Sequence, residues 1–369
     1  MSFKVLMAAA ITAFSGKVLM AAAIIVLLGV VPVARVDAAA STQPLPVHLS
    51  DTGLFVKGST TEVHPEVVSF SPQYPLWSDG AIKRRWIYLP PGTFIDASRP
   101  SAWEFPEGTR LWKEFRLERR VETRFIERLA DGSWRYATYV WSEDEKDAVL
   151  ASGDGIPSLA LNSTEPRKYS IPSESDCRAC HEGPAVPVLG FSALQLSPDR
   201  DPLAAHGESP RSDEVDLSQL IERGLVRNLP ESLIKTPPRI SAASPTERAA
   251  LGYLHGNCGH CHTDSSDASV PIDLRLAQGV ADPASSQKVL RSLRSSTAQF
   301  RLPGTTTAVP LVSPGASHDS ALLMRMRSRD ASVQMPPLGT AMPDSEGLAL
   351  IARWIDHDMN PSTSRESTR

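Results

Sequence analysis

Glu122-Thr123-Arg124-Phe125-Ile126-Glu127-Arg128, a turn at Asp131-Gly132, and Trp134-Arg135-Tyr136-Ala137-Thr138-Tyr139-Val140-Trp141 decide how the first half of this chain folds. Asp-Gly between β-branched and aromatic runs is a strong short-range signal for a hairpin. Alternate residues of a strand share a face, so Trp134, Tyr136, Thr138 and Val140 lie together, opposite Tyr139 and Trp141. Both faces are largely apolar, which predicts a sandwich or a sheet capped by other elements. Upstream, Ile82 to Leu89 reads as a further strand, ended by Pro90-Pro91-Gly92. Six of the seven tryptophans, Trp77, Trp86, Trp103, Trp112, Trp134 and Trp141, fall in this half. Residues 45–150 are therefore expected to be β-rich.

Downstream the pattern changes. Residues 151–215 lack strong periodicity, and Ser197 to Glu214, rich in Pro, Asp, Ser and charge, reads as a linker. Leu217 to Val226 is apolar at 217, 220, 221 and 225, the spacing of one helical face. Ser244-Pro245-Thr246-Glu247 supplies an N-cap, a first-turn proline and a capping-box glutamate ahead of a helix over Ala249 to His255. Further helices are expected over Asp319 to Arg327 and Glu346 to Asp356, the last with Leu348, Ile351, Ala352 and Ile355 on one face beside Trp354. The expected fold class is a multidomain α+β chain: a β-rich domain over 45–200, a linker and helix over 201–243, and an all-α domain over 244–358.

Every cysteine belongs to one of two copies of Cys-x-x-Cys-His: Cys177-Arg178-Ala179-Cys180-His181 and Cys258-Gly259-His260-Cys261-His262. This is the attachment signature of c-type haem, in which each thiol adds to a porphyrin vinyl group and the histidine ligates the iron. Two haem groups are expected, on Cys177, Cys180 and His181 and on Cys258, Cys261 and His262. Two alternatives stay open. Under oxidising conditions the pairs can form redox-active disulfides, though no thioredoxin-like unit surrounds them. A single zinc site on all four cysteines needs the two pairs brought together across a much longer spacer than the usual pattern, and leaves the histidines without a role.

Residues 244–358 resemble class I cytochrome c in the order of their parts: a helix into Cys258, the motif, a methionine loop at Met335-Pro336-Pro337 and a closing helix with Trp354-Ile355. The resemblance makes His262 and Met335 the axial iron ligands, with Met342 as the rival, and Pro271 a candidate acceptor for the far nitrogen of His262. A thioether raises the potential relative to a second imidazole. No methionine lies between Met20 and Met324, so the sixth ligand of the first haem is open. It is a histidine (His206 nearest downstream, His48 and His64 upstream), a C-terminal methionine such as Met324 or Met326, or nothing. His255 and His260 read as surface or helix-end residues. In the first half, Leu49-Ser50-Asp51-Thr52-Gly53-Leu54-Phe55, Leu76-Trp77-Ser78-Asp79-Gly80-Ala81, Glu122-Thr123-Arg124-Phe125 and Tyr139-Val140-Trp141 resemble secreted bacterial cytochrome-c-domain proteins of largely undescribed function. Some of those occur beside quinoprotein sugar-dehydrogenase-like propellers. Asp79, Lys83 and Arg84 read as a solvated turn and strand edge, or as a partner surface.

Lys17 precedes the uncharged run Val18 to Val31, and Ala38-Ala39-Ala40 offers small residues before Ser41, so residues 1–40 read as a signal peptide, with an uncleaved anchor as the alternative. The run is shorter than the about 20 residues of a membrane span. No stable span after cleavage and a periplasmic or secreted location are expected. Lys4 to Ile11 recurs verbatim at Lys17 to Ile24, which carries no fold information. Proline, at 31 residues, exceeds the usual share of about 5% and predicts long loops. The formal charge of −4 falls to −6 without residues 1–40, which hold three basic residues and one acidic residue, and argues against a nucleic-acid partner. The leading expectation is an exported carrier of single electrons with redox proteins as partners and no catalytic residue assigned. A peroxidase-like enzyme with an open first haem and an electron-accepting subunit of a sugar or alcohol dehydrogenase are the alternatives.

Overall fold

The computed structural model describes residues 44–161, 168–262, 283–295, 300, 301, 304 and 306–359. The expected signal peptide and Pro271 lie outside them. Strands come first: β1 (Val67–Ser69), β2 (Ile82–Tyr88), β3 (Ile95–Asp96), β4 (Arg110–Arg116), β5 (Arg120–Arg128), β6 (Trp134–Trp141), β7 (Ala148–Leu150), β8 (Ile156–Ala160) and β9 (Lys168–Ile171). After these come α1 (Glu174–His181), α2 (Leu217–Glu222), the short β10 (Val226–Arg227), α3 (Glu231–Lys235), α4 (Pro245–Asn257), α5 (Pro283–Ser295), α6 (Ala321–Arg327) and α7 (Ser345–Arg353). The fold is mixed α+β. No helix among the described residues is long and apolar enough to cross a membrane.

A six-stranded sheet in the order β1-β2-β4-β5-β6-β7 dominates the first half, and its pairings are antiparallel. The hairpin joins β5 to β6 around Gly132, whose φ of 81° suits a residue without Cβ. One face buries Trp86, Trp112, Phe125, Tyr139 and Trp141 against the segment around Leu49, Leu54 and Phe55. The other sets Ile87 and Leu111 against Phe191, Leu196, Leu217 and Leu220. Both faces are covered, by loops and short helices rather than by a second large sheet.

The helices share another core. Leu251 and Leu254 of α4 meet Leu323 and Met326 of α6, Leu350 and Ile351 of α7, and Trp354 and Ile355 in the π-helical turn that prolongs α7. Trp354 is fully buried, as core packing requires. Tyr74, from the strand-rich half, belongs to the same cluster. A Cβ on Gly252 would lie 2.1 Å from the Tyr74 ring, and one on Gly256 2.5 Å from the Tyr74 carbonyl oxygen. Two glycines one turn apart thus let segment 72–78 lie directly on α4. Asn257 accepts from the Trp77 amide at 2.7 Å and donates to the carbonyl oxygen of Pro75.

Residues 197–214, read as a linker, are pinned on several sides. Asp201 is buried and accepts from Tyr74 Oη at 3.1 Å, and its amide donates to Gln73 Oε1. Arg200 donates to the carbonyls of Ser71 and Pro72. Asp79 is not free either: it accepts the backbone amides of Ala341 and Met342. Lys83 is buried and donates to the Leu76 carbonyl at 2.8 Å, so neither residue forms a solvated edge.

Candidate functional site

The first motif lies on α1. Ser173 caps that helix in a reciprocal capping box with Asp176, and Arg178 bridges Glu174 and Glu182 one turn on either side. These polar contacts hold a helix that buries no residue fully. Its last residue, His181, packs its ring 5.4 Å from that of Tyr136 on β6. His181 Nδ1 lies 2.5 Å from the carbonyl oxygen of Pro187. A carbonyl only accepts, so this contact puts the proton on Nδ1 and leaves the Nε2 lone pair for a ligand. Burial lowers the His181 pKa to about 4, with the Pro187 contact opposing, so the ring is neutral as iron or zinc requires. An open cleft of about 580 Å³ lies between α1 and β6, lined by Trp134, Tyr136, Arg178 and Pro187 among others. Cys177, Cys180 and His181 are not among the residues that line it.

The second motif begins where α4 ends. Cys258 is the C-cap, and its carbonyl accepts from the amides of Cys261 and His262, folding the motif into a tight turn. Burial pushes the Cys258 thiol up to about 12. His262 Nδ1 is buried without a hydrogen-bond partner among the described residues. Its pKa is lowered by burial and then by the charge of Arg325. Arg325 also connects to the methionine loop: its carbonyl accepts from the Met335 amide at 3.0 Å, and its Nε donates to the Val333 carbonyl. Met335 is half-buried there. The carbonyl of Met342 instead accepts from Trp77 Nε1 and Arg329.

The two motifs meet. Ligand atoms of Cys180, His260 and Cys261 all lie within 4.8 Å of one another. The Cys180 thiol contacts that of Cys261, which together with burial pushes Cys180 up to about 12 and draws Cys261 down. Sequence reasoning placed His260 at a surface. Its neighbourhood with Cys180 had no local signal, because it arises from the docking of residues far apart in the chain.

Each histidine considered for the first haem has another contact. His206 reaches Asp344 through Nε2 at 2.8 Å and Glu346 through Nδ1 at 3.1 Å, and it packs on Trp77 at 4.7 Å between ring centroids. His64 Nδ1 accepts from the Glu66 amide, and His48 lies 3.7 Å from Asp147. Met326 is buried in the helical core. Comparison with protein-family models, with curated proteins and with solved structures finds no match for this chain.

Proposed function

We propose that this chain is a c-type cytochrome that holds two covalent haem groups and passes single electrons. Cys177, Cys180 and His181 would hold one, and Cys258, Cys261, His262 and Met335 the other. Bound haem supplies one-electron redox chemistry. The chain's own part is to hold, orient and shield. The observation that carries the reading is the contact of His181 Nδ1 with the Pro187 carbonyl, which leaves Nε2 available as a ligand in the segment that also holds Cys177 and Cys180. At the second motif the support is that Arg325, whose charge bears on His262, also holds the Met335 loop through its carbonyl and Nε. The fine reading of 244–358 as a class I cytochrome c domain belongs to this proposal. So do export, redox-protein partners and the likeness to secreted cytochrome-domain proteins.

One observation favours a second reading, a metal ion on Cys180, His260 and Cys261. It uses neither Cys177 nor Cys258 and needs a further ligand, which makes it the weaker account of two complete motifs. Pyridine haemochrome on chain matured with haem-attachment machinery separates the two. The proposal expects two haems per chain and one after Cys177→Ala/Cys180→Ala. No haem, with one zinc per chain by elemental analysis, refutes it in favour of the metal site.

A further inference from the structure

Three rows of side chains run across one face of the large sheet. The first is Ile87–Leu111–Ile126–Tyr136. The next is Arg85–Lys113–Arg124–Thr138, so three cations stand directly opposite one another on β2, β4 and β5. Lys83, two residues from Arg85, opens the third row beside Phe115 and Glu122. Like charges directly opposite one another destabilise a sheet, and burying them adds to the cost. Yet Lys83 and Arg85 are 5% and 6% exposed. The Lys113 ammonium sits 4.8 Å, and the Arg124 guanidinium 4.3 Å, from the Phe115 ring centroid.

Counter-charge is short. Arg124 pairs with Glu122 at 2.6 Å, and Tyr169 donates to the same carboxylate. Lys83 has the Leu76 carbonyl. Among the described residues, Arg85 and Lys113 have no carboxylate within ion-pair distance and no side-chain acceptor. Glu208 and Glu214 influence Arg85, and Glu208 and Asp344 influence Lys83, only from further away. Burial, with the neighbouring cations, lowers Lys83 to about 7 and Lys113 well below the usual lysine range. An apolar row like Ile87–Leu111–Ile126 would fold at lower cost, and Arg85 and Lys113 stand in this one without a charged partner at contact distance among the described residues.

The row faces the first motif. His181 packs on Tyr136, one row away, and feels the charges of Lys113 and Arg124; Cys177 feels Arg124 and Glu122. We propose that Arg85, Lys113 and Arg124, with Lys83, form the seat for the two propionate carboxylates of a porphyrin linked to Cys177 and Cys180. This rests on the haem reading above. Within ion-pair distance the four side chains have one carboxylate among the described residues, Glu122, and a porphyrin brings two more on the flank of the motif where they lie. The same charges would keep those propionates ionised well below the ordinary carboxyl range.

The test is an infrared pH titration of the matured protein with haem carrying carbon-13 in its propionate carboxyls. In the wild-type protein, half of the labelled intensity should remain ionised at pH values where an ordinary carboxyl, with a pKa of about 4 to 5, protonates. Lys113→Met, which keeps the length of the side chain without its charge, should raise that midpoint by at least about one pH unit, a tenfold weaker hold on the ionised form. It should leave two haems per chain by haemochrome. Wild-type propionates that all titrate in the ordinary range overturn the inference, even if the variant does not fold. A titration unmoved by Lys113→Met overturns it too, as does a row that binds inorganic phosphate while the propionates titrate normally. A chain with no covalent haem removes the functional reading itself, and the haem count distinguishes that failure from the others.

Discussion

Gly252→Ala should destabilise this protein although it places the best helix former inside a helix. In an open helix the change would contribute about 1 kcal/mol of stability. Here the added Cβ would sit 2.1 Å from Tyr74 Cε1 and 2.3 Å from Cδ1, where carbon atoms ordinarily stay about 3.5–4.0 Å apart. Tyr74 is 2% exposed, so its ring has nowhere to go without moving the chain. Overpacking of this kind costs about 1–3 kcal/mol. Displacing the ring also strains the hydrogen bond from Tyr74 to the buried Asp201 carboxylate, worth about 1.5–3 kcal/mol as a bond to a charged group. The net expectation is a loss of about 1.5–5 kcal/mol once the helix-propensity gain is set against these costs. Guanidinium denaturation followed by tryptophan fluorescence measures it, as a lower midpoint at similar slope. The decisive control is the same substitution in a Tyr74→Ala background, where the obstacle is gone and Gly252→Ala should become neutral or stabilising. Equal destabilisation in both backgrounds would refute the claim that Tyr74 lies on the glycine face of α4.

Glu122→Gln keeps the shape of a fully buried side chain but leaves Arg124 without its anion, so about 3–5 kcal/mol of stability should go; a change under about 0.5 kcal/mol in chemical denaturation contradicts the pairing. Asp344 is buried, which raises its pKa, but hydrogen bonds from His206, Gly347 and Tyr253 outweigh burial and hold it below 3.8. Its contribution is therefore complete above that value and disappears as pH falls through the lower folded value, and a stability profile of Asp344→Asn should lack this acid step. Met335→Leu should cost less than about 1.5 kcal/mol of stability, yet on the haem reading it should abolish the thioether-to-iron absorption and lower one reduction potential. An unchanged spectrum and potential would exclude Met335 as a ligand.

The hairpin was legible because turn chemistry and strand period agree: the expected runs 122–128 and 134–141 correspond to β5 and β6 within two residues. β4 was not foreseen, since Arg110, Lys113, Glu114 and Arg116 interrupt the apolar alternation that marks a strand. The stretch 197–214 misled for a related reason. A partly buried polar network built on Arg200, Asp201 and His206 has the composition of a solvated linker, and only the partners on distant segments tell them apart. At the site, the two motifs were plain from spacing. Pro187, the approach of His260 to Cys180 and the cationic row were not, because each depends on elements that meet only after folding.

On the haem reading, the meeting of Cys180 with Cys261 bears on the order of maturation. Under oxidising conditions two thiols that near can cross-link, and neither sulfur is then available to a vinyl group. On the haem reading, the porphyrins must be attached while residues 177–181 and 258–262 are still apart. Docking of the two segments is then the closing event of maturation, after which the thioether bonds themselves keep the wrong bridge from forming.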